Sequence, residues 1–261
     1  MLPPKAMECF DILMAAKFLA TQDESGKINV VPIVTMKPYD DETLIFGNLM
    51  MRKSLKNLQE DSGVSACVIT SNLKCYEVKG EFRGFEKTGK YFDIISNIPL
   101  IRYTAYGSVR SVGIIDVGDV CAPLKNPILG LISGMITTPS SRRKKLKKGK
   151  MHPGIVEKFE RLTAAKVIAT GENGYPRVIP ALVLRATNSN TLTFSCGSSP
   201  NLSLLREGDY VASSVLTMDA ISYQVKGTFE GFKKSRSGKI GQIHVEEVYS
   251  ASPPRPGDII T

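Results

Sequence analysis

The residues best suited to chemistry form one short motif, Asn48-Leu49-Met50-Met51-Arg52-Lys53-Ser54. It follows an apolar segment predicted as a strand, Thr43–Gly47, and it leads into a short predicted helix, Ser54–Glu60. A helix N-terminus offers free N–H groups and the positive end of a dipole to an anion. Arg52 can chelate two phosphate oxygens, whereas Lys53 acts as a point charge. The motif therefore predicts a phosphate site; the alternative is that Arg52 and Lys53 are ordinary surface cations.

Other chemically active residues are not grouped in the sequence. The five cysteines are scattered without a CxxC pair, and His152 and His244 are the only histidines. A zinc site with the usual ligands is therefore not expected. An odd number of cysteines without a framework predicts reduced thiols in a cytoplasm. No arrangement of acid, base and nucleophile is recognisable, so no catalytic residue is predicted.

The elements that would position the motif occur twice in the chain. From Pro4 and Pro153, 9 of 18 aligned positions are identical, and from Val64 and Val211, 11 of 25 are. A solenoid unit is roughly 20 to 50 residues long, which is far shorter than the spacing of these copies. The 261 residues therefore contain one domain written twice, and the two copies need not share their chemistry.

Each copy opens with an amphipathic helix and continues in short strands. The predicted strands include Val30–Met36 and Val178–Arg185, and a second short helix is predicted at Asn201–Glu207. Glycines 80, 84, 227 and 231 fall inside strands, where they indicate bulges or sharp bends. Many short antiparallel strands with few helices predict a mainly β (α+β) fold with a small β-barrel in each copy.

The predicted domains are residues 1–125 (repeat one) and 153–261 (repeat two), joined by a basic linker at 126–152. Much of the net charge of +9 lies in Arg142–Lys150, which has seven cations among nine residues. We expect an exposed, solvated segment, and contact with nucleic acid or an anionic surface is the alternative. Without aromatic residues in the run, nucleic acid is the weaker expectation.

Membrane spans and signal peptides are also not expected from the sequence. The most apolar segment, Pro127–Ile136, is shorter than the roughly 18 residues that a span needs and contains two glycines. The N-terminus shows no apolar signal-peptide core. A hydrophobic content of 42% and a charged content of 23% are typical of a soluble protein, and we expect a cytoplasmic one.

The order of elements around Asn48-Leu49-x-x-Arg52-Lys53 resembles the pyridoxamine 5′-phosphate oxidase-like, FMN-binding split-barrel family. The resemblance covers about Ala6–Thr88 and, through the duplication, Ile155–Ser235. Members of that family are homodimers with flavin at the subunit interface. The resemblance therefore implies two split β-barrels packed as an intramolecular pseudo-dimer, either as a monomer or as part of a homo-oligomer.

The resemblance also implies which residues bind FMN. The family's arginine-lysine pair, which holds the FMN phosphate, corresponds to Arg52 and Lys53, with Ser54 beside them. The flavin ring would lie along the strand that includes Val31, Pro32, Ile33 and Val34, with Asn48 and Leu49 also at the site. A polar contact is expected near Cys75, where the oxidase has an amide.

Repeat two lacks the cations of the motif, because Gly197-Ser198-Ser199-Pro200-Asn201 replaces Met50-Met51-Arg52-Lys53-Ser54. Losing two charge-assisted hydrogen bonds weakens phosphate binding by roughly 3–6 kcal/mol. We therefore expect at most one tightly bound FMN per chain, held by repeat one.

The predicted function is that of a flavoprotein, either an oxidoreductase for an unidentified small-molecule redox substrate or a flavin carrier or sensor. A barrel that has lost flavin is a further alternative. The resemblance also implies what is not expected. True pyridoxamine-phosphate oxidases share a C-terminal segment with tryptophan and arginine that binds the substrate, whereas this chain has no tryptophan and its last residues are ASPPRPGDIIT. Vitamin B6 oxidation is therefore not expected.

Overall fold

The computed structural model describes residues 1–102, 108–141, 148–197, 199–235, 238–252 and 256–260. Most of the basic run, residues 142–147, lies outside these described residues, so its predicted exposure stays a prediction there. Lys148 and Lys150 at its end are exposed.

Repeat one consists of a seven-stranded antiparallel sheet with four short helices. Its helices are α1 Pro4–Asp11, α2 Lys53–Glu60, α3 Lys90–Ser96 and α4 Pro99–Arg102. Its strands are β1 Ala16–Gln22, β2 Ile28–Pro32, β3 Lys37–Pro38, β4 Thr43–Asn48, β5 Gly63–Ile69, β6 Cys75–Glu86 and β7 Ser111–Cys121.

Repeat two has a second seven-stranded antiparallel sheet, preceded by two helices. The helices are α5 Pro127–Thr137 and α6 Pro153–Glu160, and a 3₁₀ helix spans Pro200–Leu204. The strands are β8 Ala165–Glu172, β9 Tyr175–Pro180, β10 Leu184–Asn188, β11 Thr191–Ser195, β12 Tyr210–Leu216, β13 Ser222–Ser235 and β14 Gly238–Ser250.

The two sheets have the same strand order. The first runs β2-β1-β5-β6-β7-β4-β3, and the second, taken from its other edge, runs β9-β8-β12-β13-β14-β11-β10. Each position in one list is the sequence counterpart of the same position in the other. The predicted duplication of a mainly β, barrel-like domain is therefore confirmed strand by strand.

Glycines shape both sheets in the same way. The pairing register shifts between Val78 and Gly80 on β6 and between Lys226 and Gly227 on β13, which confirms the predicted bulges. Each barrel core contains a phenylalanine, Phe46 or Phe194, whose ring lies where a side chain on the facing glycine would stand. Those glycines, at 113 and 241, thus let a large ring fill each core.

Two strand predictions were too long. The strand expected at Val30–Met36 ends at Pro32, and the one expected at Val178–Arg185 ends at Pro180 and resumes at Leu184. The cause is the same in both copies, because proline has no N–H to continue the ladder. After each proline the chain turns, and the next residue donates its N–H to the carbonyl of Lys17 or Lys166.

The repeats pack against each other through a cluster of buried apolar side chains that both supply. Packing is reciprocal, since β5 of repeat one lies against β9 and β12 of repeat two lies against β2. The predicted pseudo-dimer is thus observed. The cluster contains Phe18, Ala20, Ile28, Val30, Cys67, Ile69 and Cys75 from repeat one and Val167, Ala169, Val178 and Ala212 from repeat two.

The range predicted as a basic linker contains an ordered element. Within residues 126–152, α5 packs on repeat two, where a side chain on Gly134 would meet Val183 and Ser195. Arg185 donates to the carbonyls of Met135 and Thr138 at the end of the helix. The division at residues 125 and 153 stays a prediction. In the described part of the chain, no helix is long and apolar enough to cross a membrane.

Candidate functional site

A cavity of about 400 Å³ lies between the two repeats, beside the predicted phosphate motif. Repeat one contributes β2 with the loop after it and the junction between β4 and α2. Repeat two contributes the end of β12, the start of β13 and the segment after β14. Ligand cavities of roughly 300–1,000 Å³ are typical of small molecules and cofactors. The site is therefore composite, and neither repeat could form it alone.

Most of the cavity wall is apolar. Val31, Val34 and Leu49 of repeat one face the cavity together with Leu216 and Ala220 of repeat two. A wall of this kind, with a few polar groups at defined places, suits a flat aromatic ring system. The predicted ring-contact residues Val31, Pro32, Ile33 and Val34 all line the cavity.

One end of the cavity is polar and is formed by the start of α2. Helix α2 begins at Lys53, and Arg52 precedes it as the N-cap residue. The Ser54 hydroxyl is buried and accepts a hydrogen bond of 2.9 Å from the Asn29 side chain. This leaves its own O–H proton available to a ligand. Free N–H groups and a hydroxyl donor thus meet at the cavity's polar end.

Arg52 lines the cavity but is also tied to the C-terminal segment. Its guanidinium lies 3.1 Å from the carboxylate of Asp258, and the side chain is 67% exposed. Backbone hydrogen bonds between Ser250 and both Gly257 and Asp258 hold this segment against β14. A residue of repeat two therefore fixes the position of the Arg52 side chain. An exposed ion pair of this kind is weak, so a bound phosphate could replace Asp258 as the partner of Arg52.

Lys53 points toward repeat two. Its ammonium group lies 3.4 Å from the centre of the Tyr249 ring, in cation–π contact. Burial lowers the pKa of Lys53, and Glu247 nearby opposes that shift. The two cations of the motif thus contact the same C-terminal region of repeat two, Arg52 through Asp258 and Lys53 through Tyr249.

Two predicted site residues do not line the cavity. Asn48 is buried at the end of β4, where its side chain donates to Ser111 and its side-chain oxygen has no partner among the described residues. Cys75 lies in the core between the repeats, with its sulfur 3.6 Å from that of Cys67. Their assignment to the cofactor rests only on the family resemblance.

The counterparts of the Cys75 strand in repeat two do line the cavity. The strand pairs β5–β6 and β12–β13 have matching registers. In the duplication, Ser222 is therefore the counterpart of Cys75, and Gln224 is the counterpart of Glu77. Both Ser222 and Gln224 face the cavity. They were not predicted from the sequence, because they reach this site only through the packing of repeat two on repeat one. Two signals together could have identified them: the alignment of the repeats, which gives the counterparts of Cys75 and Glu77, and the expectation that the site lies between the two copies.

The two polar groups from repeat two have different roles. Gln224 donates its side-chain N–H to the carbonyl of Val30 and so locks β13 onto β2. The Ser222 hydroxyl is buried and has no partner among the described residues. A buried hydroxyl without a partner is unfavourable, and a ligand atom in the cavity would satisfy it.

The corresponding region around repeat two is built differently. Arg177, at the position of Asn29, forms an ion pair of 3.0 Å with Glu77 of repeat one. The buried hydroxyl of Ser199 donates to the carbonyl of Pro180 rather than facing a cavity. Helix α5 covers Val183 and Ser195, which are the counterparts of cavity residues Thr35 and Gly47.

The described lining of the cavity contains few ionisable side chains. Arg52 and Lys53 are the only ionisable side chains among its described residues. No group of three or more metal-ligating side chains occurs in the part of the chain that the structure describes. The lining fits a phosphorylated, largely apolar cofactor, because it combines cations, a helix start, an apolar slot and the unpartnered Ser222 hydroxyl.

Comparison with known proteins gives only distant matches. No protein-family model matches the chain, and no curated protein matches it. HupZ from Group A Streptococcus matches with 19% identity and a TM-score of 0.40, over 46% of this chain and 92% of that one. An FMN-binding protein from Syntrophomonas wolfei matches with 21% identity and a TM-score of 0.39, over 44% of this chain and 84% of that one.

A putative pyridoxamine 5′-phosphate oxidase from Lactobacillus delbrueckii matches with 17% identity and a TM-score of 0.38, over 46% of this chain and 93% of that one. Each of these matches spans about half of this chain. At such identities and TM-scores they carry no argument about the function or the cofactor of this protein. The cofactor has to be argued from the residues of this chain.

Proposed function

We propose that this protein is a flavoprotein that binds one FMN in the cavity between its repeats. The observation that carries the proposal is the composite cavity itself. A cationic helix start forms one end, and apolar side chains from both repeats form the walls. That arrangement matches a molecule with a phosphate at one end and a flat ring system at the other.

Arg52, Lys53 and Ser54 would hold the phosphate of FMN. A phosphate dianion leaving water needs compensating charge, which the two cations and the helix start supply. The strand residues from Val31 to Val34 would pack along the ring, with Leu216 on the side of repeat two. Ser222 would donate or accept a hydrogen bond at a polar edge of the ligand.

We propose an oxidoreductase as the biological role, with an unidentified small-molecule substrate. Bound FMN supplies one- and two-electron chemistry, so the protein needs to contribute only binding, orientation and polarity. A cavity lining whose described ionisable groups are two cations is compatible with that division of labour. A flavin carrier or sensor uses the same binding residues and differs only in turnover.

Titration of flavin-free protein with FMN tests the binding proposal. We expect saturation at one FMN per chain and clearly weaker binding of riboflavin, which lacks the phosphate. Two equivalent sites per chain would contradict the asymmetry between the repeats. Absence of binding would reduce the resemblance to one of fold alone.

A second experiment separates an enzyme from a carrier. The FMN-loaded protein is mixed anaerobically with NADH or NADPH, the absorption of the oxidised flavin is followed, and air is then admitted. Bleaching and recovery over many cycles support an oxidoreductase. Flavin that stays oxidised with both donors favours the carrier or sensor.

A further inference from the structure

Three lysines converge beside the phosphate end of the cavity, and they come from both repeats. We define this lysine cluster as Lys27 and Lys53 of repeat one with Lys226 of repeat two. The ammonium groups of Lys53 and Lys226 lie 3.4 and 5.7 Å from the centre of the Tyr249 ring. The Lys27 ammonium lies 5.0 Å from the centre of the Tyr210 ring. Two aromatic rings of repeat two thus make cation–π contacts with the three ammonium groups.

The cluster is joined directly to the cavity. Lys53 lines the cavity, and so does Gln224, which precedes Lys226 by two residues on β13. Residues two apart on a strand point to the same face of the sheet. Lys226 therefore lies on the same face of β13 as Gln224. Its ammonium shares the Tyr249 ring with that of Lys53, at the start of α2.

The positive charge of the cluster is not balanced within the described structure. Glu247 is the carboxylate at its centre, 3.5 Å from the Lys27 ammonium and hydrogen-bonded to the hydroxyls of Tyr210 and Tyr249. The other nearby carboxylate, Asp23, accepts hydrogen bonds from residues 25 and 27 of its own turn. Three ammonium groups thus face two carboxylates, Glu247 and Asp23, and the cluster keeps an excess of positive charge.

Lys226 is the most unusual member of the cluster. Its side chain is only 4% exposed, and its ammonium forms no hydrogen bond or ion pair with any described residue. Burial, and then the Lys53 and Lys27 ammonium groups, lower its pKa to about 8, against the opposing effect of Glu247 and Asp23. Most of this side chain is buried while its ammonium keeps a narrow contact with solvent, so a ligand that supplies negative charge there would stabilise the charged form.

The other copy provides an internal reference. Lys79 occupies the position of Lys226 in the duplication and forms an ion pair of 2.7 Å with Glu172, the counterpart of Asp23. Glu172 also binds Arg177 at 2.8 Å. The same lysine is thus satisfied by protein groups in one copy and left without an acceptor in the other, because aspartate is shorter and is used by its own turn.

We propose that the lysine cluster is an anion subsite that binds a phosphate group, with repeat two supplying Lys226 as a ligand across the interface. The subsite deepens the proposed function, because it lies next to the place assigned to the FMN phosphate. Its ligand is either that phosphate itself or a second phosphate attached beyond it, as in a diphosphate-linked flavin. Recognition would be shared between the copies, so that repeat two contributes charge although its own motif has lost it.

The matched variants for the test are Lys226→Gln and Lys79→Gln. They remove the same charge from counterpart positions, one inside the proposed subsite and one in an ion pair outside it. Lys226→Arg serves as the conservative variant that keeps the charge. All are compared with wild type by thermal unfolding without ligand, so that a folding defect is seen separately from a binding defect.

The first readout uses inorganic pyrophosphate and phosphate at constant ionic strength, with chloride as the reference salt. We expect both anions to raise the unfolding temperature of the wild type, Lys79→Gln and Lys226→Arg proteins. Lys226→Gln should bind them about 10- to 100-fold more weakly, the range for one charge-assisted hydrogen bond. This readout needs no flavin, so it stands even if the proposed function fails.

The second readout is the affinity for riboflavin, FMN and FAD. We expect Lys226→Gln to weaken FMN binding and to leave riboflavin binding unchanged. A larger loss for FAD than for FMN would assign the subsite to a second phosphate, and an equal loss would assign it to the first. The proposal is overturned if Lys226→Gln behaves like Lys79→Gln toward the anions, or if riboflavin loses as much affinity as FMN.

Discussion

The two copies of the domain meet at two corresponding places, and these places differ mainly in charge. Around repeat two, Arg177 and Lys79 are neutralised by Glu77 and Glu172. Around repeat one, the same positions hold Asn29, Lys226, Gln224 and Asp23, and the nearby cations lack sufficient carboxylates. One place is closed by protein ion pairs, whereas the other keeps an excess of positive charge beside a cavity.

This difference shows what duplication within one chain permits. In a homodimer both sites have the same sequence, so a residue that serves binding at one site is imposed on the other. Within a single chain, one interface can form buried ion pairs while the other retains a cavity. Arg177 and Lys226 are the residues in which the two uses of the same fold are most clearly separated.

The largest expected effect follows from removing both cations of the motif. Arg52→Ala combined with Lys53→Ala should weaken FMN binding by roughly 3–6 kcal/mol, or about a hundredfold to ten-thousandfold. Fluorescence titration of the flavin measures it. The control is Lys56→Ala, which removes an exposed cation of the same helix that pairs with Glu60. Equal losses in both proteins would mean that the motif acts only through overall charge.

The second prediction concerns the closed interface and the stability of the fold. Arg177→Asn leaves Glu77, which is 2% exposed, without its main cation and should lower the free energy of unfolding by about 3–5 kcal/mol. Burial already raises the pKa of Glu77, and Arg177 opposes that shift. Denaturant unfolding measures the effect.

The double variant Arg177→Asn with Glu77→Gln gives the closed interface the residues of the open one. Because two neutral amides carry no uncompensated charge, we expect it to recover a large part of the lost stability. Additive losses in the double-mutant cycle would show that the two residues are not coupled.

The third prediction is a pH dependence that only the open interface should show. The pKa of Lys226 in the folded protein, about 8, lies below its unfolded value near 10.5, because burial and neighbouring cations disfavour the charge. Its destabilising effect is therefore complete below about pH 8 and disappears as the pH rises toward 10.5.

Lys226→Met should accordingly be more stable than wild type near pH 7, by up to about 3 kcal/mol, and the difference should shrink above pH 8. The comparison is made on ligand-free protein, so that a bound anion does not raise the lysine pKa. Lys79→Met, which breaks the ion pair with Glu172, should instead be destabilised across the same range. A wild-type advantage at pH 7 over Lys226→Met would contradict the assignment.

The duplicated fold could be predicted from the sequence because the patterns that encode its helices and strands are local. Periodic apolar residues predicted the first helix and most strands, and the in-strand glycines predicted the bulges near Gly80 and Gly227. The prolines at 32 and 180 could also have indicated where these strands end, but both strands were predicted to continue past them. Helix α5 was not predicted, because its apolar, glycine-containing run has no counterpart in repeat one.

Only part of the candidate site could be predicted from the sequence. Arg52, Lys53 and Ser54 are contiguous, so one motif located them. Ser222 and Gln224 reach the cavity only through the packing of one copy on the other, which no local pattern encodes. Lys226 could not be identified for a further reason. The sequence Val-Lys-Gly is identical in both copies, and the copies differ instead in the length of the carboxylate at the end of the first strand, Asp23 in one and Glu172 in the other.

The smallest expected effect tests whether the strand of repeat two really faces the ligand. Ser222→Ala removes a buried hydroxyl that has no partner among the described residues, so the stability of the ligand-free protein should stay the same or rise slightly. Binding of FMN and of riboflavin should weaken equally, by about 0.5–1.5 kcal/mol, because the hydroxyl lies away from the phosphate end. The matched control is Cys75→Ala at the counterpart position, which should lower stability through lost packing in the interface core and leave the flavin affinity unchanged. The opposite pattern, with Cys75→Ala weakening flavin binding and Ser222→Ala without effect, would move the polar contact from repeat two back to the strand of repeat one.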